Sequence, residues 1–195
     1  MMTLSSAPRD AGSLPDPNAA GCDETDRVRA TLDGDTRAFD EIIRMHHGRV
    51  FNFLRQMTRK HHDAEDLTQQ TFIKAFQHLA RFDQRRPLIH WLLTIARNNA
   101  LNHFRDTPRW EEMPVEPAAS EPSPARQTEK KEDTENLWTR ARTRLSRREF
   151  EILWLRFAED LSTRETAEVV GLSEVHVKVL VHRARQALLK GEQPT

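Results

Sequence analysis

The chain has 195 residues, room for one medium domain or two small ones, with 37% hydrophobic and 31% charged residues. That is too apolar for a wholly disordered chain and too polar for one large core. Its 30 basic and 30 acidic residues cancel, no apolar run approaches the ~18–20 residues that cross a bilayer, the start lacks a signal-peptide pattern, and the lone Cys22 excludes a disulfide framework or multi-cysteine zinc site.

A cytoplasmic chain without membrane insertion is therefore expected. Its charge is unevenly placed: residues 1–24 sum to −3, 25–106 to +4, 107–136 to −4 and 137–195 to +3. Two mildly basic blocks flank an acidic strip, which is compatible with a polyanionic partner. Residues 1–23, rich in Ala, Ser, Pro and Asp, read as a disordered tail. The block 24–106 reads as helical. Asp35 caps a helix carrying Phe39, Ile42, Ile43, Val50, Phe51 and Leu54. Asp63 caps a second, carrying Leu67, Phe72, Ile73 and Phe76. Pro87 suits the first turn of a third, running to about Phe104 and striped by Leu88, Trp91, Leu92 and Ile95. Residues 107–133 carry Pro108, Pro114, Pro117, Pro122 and Pro124 among Glu, Ala and Ser, and read as an acidic, flexible linker.

In the block 134–191, Ser146-Arg147-Arg148-Glu149 and Ser162-Thr163-Arg164-Glu165 each fit a capping box. The first opens onto Phe150, Leu153, Trp154 and Phe157; the second starts a short helix ending at Gly171. Ser173 caps a last helix running to about Lys190. The fold class is all-α: two small helical domains joined by a flexible linker. Ala167, Gly171, Val177 and Val181 have the spacing of a helix-turn-helix. Small Ala167 allows close helix crossing, and Gly171 takes a left-handed turn without steric cost. Val177 and Val181 pin the second helix, leaving Glu174, His176, Lys178 and Arg185 on other faces, with Arg183 nearby, to meet phosphates and base edges. An ordinary helical hairpin with a solvated basic face has the same pattern.

The stretch His62-Asp63-Ala64-Glu65-Asp66-Leu67-Thr68-Gln69-Gln70-Thr71-Phe72-Ile73-Lys74-Ala75-Phe76 resembles conserved region 2.2 of bacterial sigma-70-family sigma factors. Trp91-Leu92-Leu93-Thr94-Ile95-Ala96-Arg97-Asn98-Asn99-Ala100 is similar to their regions 2.3 and 2.4, and Val177-Lys178 with His182-Arg183-Ala184-Arg185 to region 4.2. Two domains without a large insertion resemble the extracytoplasmic-function (ECF) group. The resemblance implies region 2 over 24–106 and region 4 over 134–191. It also implies a transcription initiation factor, not an enzyme, with no cofactor and no metal. Such a factor binds core RNA polymerase, through the clamp helices of the largest subunit and the flap, directs it to promoter DNA and assists melting of the −10 element. An anti-sigma factor is a possible further partner.

Carried over by position, the core-polymerase contacts are Asp63, Glu65, Asp66, Leu67, Gln70 and Phe72, with Leu67 and Phe72 equally readable as core. The implied −10 contacts are Gln84, Arg85 and Arg86 in the loop 82–87, and Arg97, Asn98, Asn102 and Arg105 on the helix; Trp91 reads as core. The implied −35 contacts are Ser173, Glu174, His176, Lys178, Val179, Arg183 and Arg185. Two departures stand out. The loop lacks the family's Gly and Ser or Thr, having Gln84 to Pro87, and His176-Val177-Lys178-Val179-Leu180-Val181 replaces the usual Thr-Val-Lys-Ser-Arg-Leu. Val179 and Leu180 thus stand where a hydroxyl and a cation usually face DNA. That predicts an unusual or weak −35 dependence, or apolar contact with thymine methyls or a protein. Residues 106–134 could reach about 95 Å fully extended, enough for the roughly 85 Å between the two elements. A flexible chain of that length averages only about 30 Å, so the polymerase must hold it open. Alone, the two domains are expected to pack together and hide their DNA faces.

Two rival readings remain. A polymerase-independent helix-turn-helix regulator explains residues 162–185 but not 62–76 or 91–102. A metalloenzyme using His46, His47, His61, His62 and Asp63 lacks a His pair at i, i+4 with a general base; these histidines read as surface or helix-end groups.

Overall fold

The computed structural model describes residues 19–106 and 137–189. The expected linker, and most of the expected tail, lie outside the described residues. Every described element is helical: α1 (Ala19–Leu32), α2 (Thr36–Thr58), α3 (His61–His78), a single 3-10 turn (Leu79–Arg81), α4 (Leu88–Asp106), α5 (137–144), α6 (Arg147–Phe157), α7 (Thr163–Val170) and α8 (Glu174–Leu189). The tail reading over 1–23 is corrected at its end, because α1 begins at Ala19.

Local chemistry sets the boundaries. The side chain of Asp35 accepts from the backbone N–H of Arg37 and caps α2. For α3 the expectation shifts: the cap position is Lys60, and Asp63 lies inside the first turn. There its carboxylate still faces the positive end of the helix dipole. Glu24 of α1 caps α4 from a distance, accepting from the Leu88 N–H at 3.2 Å and from His46 Nε2 at 2.7 Å. His46 is accordingly buried rather than a surface group. Burial pushes the Glu24 carboxyl up, but the His46 and Leu88 hydrogen bonds and the neighbouring charges leave it below the ordinary carboxylate range. Both predicted capping boxes form, at Ser146 with Glu149 and at Ser162 with Glu165.

The apolar stripes bury as their periods require. Val28, Ile42, Phe53, Leu54, Leu88, Leu92 and Leu93 form the centre of a core between α1, α2, α3 and α4. Ile152, Leu155, Leu161 and Val177 extend it into the C-terminal helices, where α7 packs on α4 and α6 on α2. A second, smaller cluster gathers Ala141, Leu145, Phe150, Leu153 and Ala184 under Trp138 and Trp154, whose rings lie 4.8 Å apart.

Ile42→Ala should cost about 2–5 kcal/mol through lost burial and a cavity, and Ser162→Ala about 1 kcal/mol through a lost cap. Denaturant unfolding with unchanged slope should show both, with Ile42→Ala the more damaging.

Candidate functional site

Between α2 and α3 an open, mostly apolar groove of about 740 Å³ is lined by Phe39, Ile43, His47, Phe51, Phe72, Ile73 and Phe76, with Glu65, Gln69 and Gln77 at its edges. Of the residues predicted to meet the polymerase, Glu65, Asp66 and Gln70 are exposed on α3. Asp63 turns toward α4, with Oδ2 3.3 Å from His103 Nε2. Leu67 is core, and Phe72 is buried while bordering the groove. Ile73 and Phe76 were legible only as part of a helical stripe; the structure leaves both about half exposed. A lone stripe cannot tell a core face from a docking face, so the groove is invisible until α2 is placed beside it.

On the other side of this core, α4 carries the second candidate surface. Asp83 folds the preceding loop, its Oδ1 accepting from the Arg85 N–H and its carbonyl from the Arg86 N–H. Gln84, Arg85 and Arg86 are exposed there. Trp91 packs on Phe82, ring centres 5.2 Å apart, as a core-side residue. Asn98, Asn102 and Arg105 are exposed on α4. Asn98 and Asn102 are one turn apart on one face. Their neighbour Asn99 is buried, donating from Nδ2 to Thr71 Oγ1 at 3.1 Å and accepting from Lys74 Nζ. Those bonds to α3, with the buried stripe Leu92, Leu93, Ala96 and Ala100, hold α4 in the rotation that leaves Asn98 facing out.

The C-terminal helices lay carboxylates on the cations around α4. Arg97 Nε donates to Glu151 Oε1 of α6 at 2.5 Å, with side chains only 13% and 3% exposed. Arg86 pairs with Glu168 of α7 at 3.0 Å, His90 lies 3.8 Å from Glu165, and Arg49 donates to Glu159 at 2.9 Å. Arg97 and Arg86, both predicted −10 contacts, are therefore engaged by carboxylates in this packing. Burial pushes the Glu151 carboxyl up, with Arg97 pulling part of the way back. Burial likewise holds His90 below its ordinary value, against the opposing pull of Glu165.

The third surface is the helix-turn-helix. Gly171 ends α7 in the left-handed region, φ 65°, and its N–H returns to the Ala167 carbonyl. Ser173 Oγ accepts from the His176 N–H at the start of α8. Val177, Leu180 and Ala184 bury inward. This corrects one expectation: Leu180, only 8% exposed, belongs to the core and does not face DNA. Ser173, Glu174, His176, Lys178, Val179, Arg183 and Arg185 are all exposed, and Arg185 stacks on Phe157 at 5.1 Å. α8 packs on α6 and α7, so its outer face stays open although α6 and α7 cover part of α4.

Among the described residues no cluster of His, Cys, Asp and Glu could hold a metal ion, and no helix is long and apolar enough to cross a membrane.

The family model for sigma-70 region 2 matches residues 42–109, and that for sigma-70 region 4 matches residues 137–188. The ECF RNA polymerase sigma factor SigM of Bacillus subtilis (strain 168) is 32% identical over 154 residues, 76% of this chain and 91% of SigM. Among solved structures, the sigma factor RpoE in complex with the anti-sigma factor NepR, from Bartonella quintana, aligns with a TM-score of 0.64 at 26% identity, covering 80% of this chain and 98% of that one. CnrH in complex with the cytosolic domain of CnrY shares the fold at a TM-score of 0.64 and 23% identity, covering 88% and 99%.

Arg97→Ala, which strands the Glu151 carboxylate, should cost about 3–5 kcal/mol, whereas replacing both partners by apolar residues should recover most of it. The raised Glu151 carboxyl means that the folded chain holds this proton more tightly than the unfolded one. Its contribution is full below about pH 4.3 and is lost as pH rises through the raised value. The stability of the wild type relative to Glu151→Gln should therefore fall with rising pH across that window, as measured by denaturant unfolding.

Proposed function

We propose, from the premise that this chain belongs to the ECF group of the sigma-70 family of RNA polymerase sigma factors, a division of its work in transcription initiation among three surfaces. Residues 24–106 act as region 2, residues 134–191 as region 4, and residues 107–133 as the tether between them. The groove between α2 and α3 takes the clamp helices of the polymerase's largest subunit, with Ile73 and Phe76 as apolar anchors and Glu65, Asp66 and Gln70 as polar rim. Such a centre and rim is the anatomy of a protein interface. Region 4 meets the flap and reads the −35 element as duplex through α8.

The outer face of α4 and the loop 82–87 take the −10 element as single strand. Flipping a base out of the stack costs a few kcal/mol, offset by pocket contacts and backbone charge. Asn98 and Asn102 supply base-edge hydrogen bonds. Arg85, Arg86, Arg97 and Arg105 face phosphates, which take the place of the Glu151 and Glu168 carboxylates once α6 and α7 move off α4. Phosphate and carboxylate are both oxyanion acceptors for a guanidinium, so the exchange conserves the type of bond. The outward-facing Asn98, set by buried Asn99, is the observation that carries this reading. RpoE's complex with the anti-sigma factor NepR supports an anti-sigma partner for this chain too.

Run-off transcription with purified core polymerase, on the DNA upstream of this chain's own gene, tests the whole reading. Defined new start sites that depend on the chain are expected; no binding to core at all would overturn it and favour a polymerase-independent regulator. Ile73→Glu should lower core affinity about 30-fold, as for an interface anchor, with an unchanged unfolding midpoint. Asn98→Ala should leave core binding intact and cut open complexes about tenfold, the range for one lost base contact.

A further inference from the structure

The exposed ridge of α8 has an unusual chemistry. Its buried seam is Val177, Leu180, Val181 and Ala184. At 100° per residue, the line opposite that seam runs through Val175, Val179, His182 and Gln186. A solvent-facing ridge ordinarily carries polar residues. Here its first two positions are valines, 70% and 41% exposed. Both lie in the N-terminal half of the second helix of a helix-turn-helix, the part that meets base edges. Lys178 and Arg183 flank them, exposed on either side of the ridge. An apolar line between two cations matches a groove with phosphates at both walls and something apolar on its floor.

Only one base offers that floor. In the major groove the C5 methyl of thymine is the sole apolar group, and small aliphatic side chains are its partners. Residues at i and i+4 are about 6 Å apart along the helix, against about 3.4 Å per base-pair step. Two methyls met by this pair thus lie one or two steps apart.

We propose that Val175 and Val179 are specificity-determining residues that read two thymine methyls, one or two base pairs apart, in the duplex −35 element. The proposal rests on the role given above to α8 and adds to it the letters that α8 reads. Polar readout gives way at this point to shape and methyl contact. This chain therefore depends on its −35 element through apolar contacts, rather than lacking that dependence.

The test uses the full chain with core polymerase. A duplex pool randomised over the −35 element is selected for binding, and each selected thymine is then replaced singly by deoxyuridine, which removes the methyl and nothing else. Thymines at two positions one or two steps apart are expected, with about fourfold weaker binding for each methyl removed, the value of one buried methyl-sized group. In Val175→Ala with Val179→Ala, thymine and uracil templates should bind equally. A pool without enriched thymine, wild-type binding indifferent to uracil, or a double variant that still prefers thymine each overturns the proposal. Run-off on the same templates separates the two levels. Initiation that ignores the methyls sinks only this inference, whereas absence of initiation on every template sinks the reading beneath it. The uracil substitution acts on the unaltered protein, so no misfolded variant can mimic its result.

Discussion

Burying Arg97 against Glu151 joins the two halves of the molecule at α4, the helix proposed to meet the −10 element. The pair is not strong glue. Taking both charges out of water offsets most of their attraction, so an intact buried pair adds little net stability, while half a pair is costly. The surrounding contacts share this character: Arg86 with Glu168 and Arg49 with Glu159 are partly exposed, and such pairs contribute little individually. The apolar residues Ile152, Leu155 and Leu161 supply the rest of the contact. The ion pairs thus register one arrangement, while apolar burial supplies its strength.

The same packing treats the two surfaces proposed to meet DNA differently. α6 and α7 present Glu151, Glu165 and Glu168 to cations near α4, occupying sites where phosphates are proposed to go. The recognition helix α8 keeps its outer face clear. The packing therefore covers one of these proposed surfaces and spares the other, whereas the sequence leads to the expectation that both are hidden.

Much of this was legible before any coordinates. Capping boxes at Ser146 and Ser162 locate two helix starts to the residue, because their chemistry is local and reciprocal. Gly171 marks the turn for the same reason. Asn98 comes from the resemblance, and helical spacing adds Asn102 one turn on. The misses share a cause: each depends on what lies across a helix rather than along it. Glu24 opens the helical block, but nothing along the chain links it to the Leu88 N–H that it caps, 64 residues on. His46 looks like a surface group until Glu24 meets it. Leu180 looks DNA-facing by alignment with a cation, yet its angle on α8 turns it inward. The groove at Ile73 and Phe76 needs α2 beside α3. No sequence pattern pairs Arg97 with Glu151, 54 residues away.

Asn99 has a consequence beyond its two hydrogen bonds. Adjacent residues on a helix point 100° apart, so pinning one to Thr71 and Lys74 fixes the heading of the next. The bearing of Asn98 is thereby referenced to α3 and not to the loop 82–87 that leads into α4. That loop can differ in sequence, as Gln84 to Pro87 differ from the expected pattern, without swinging the asparagine off its heading. Mechanically, the helix behaves as a keyed shaft: the loop that leads into it is decoupled from the key that sets its heading.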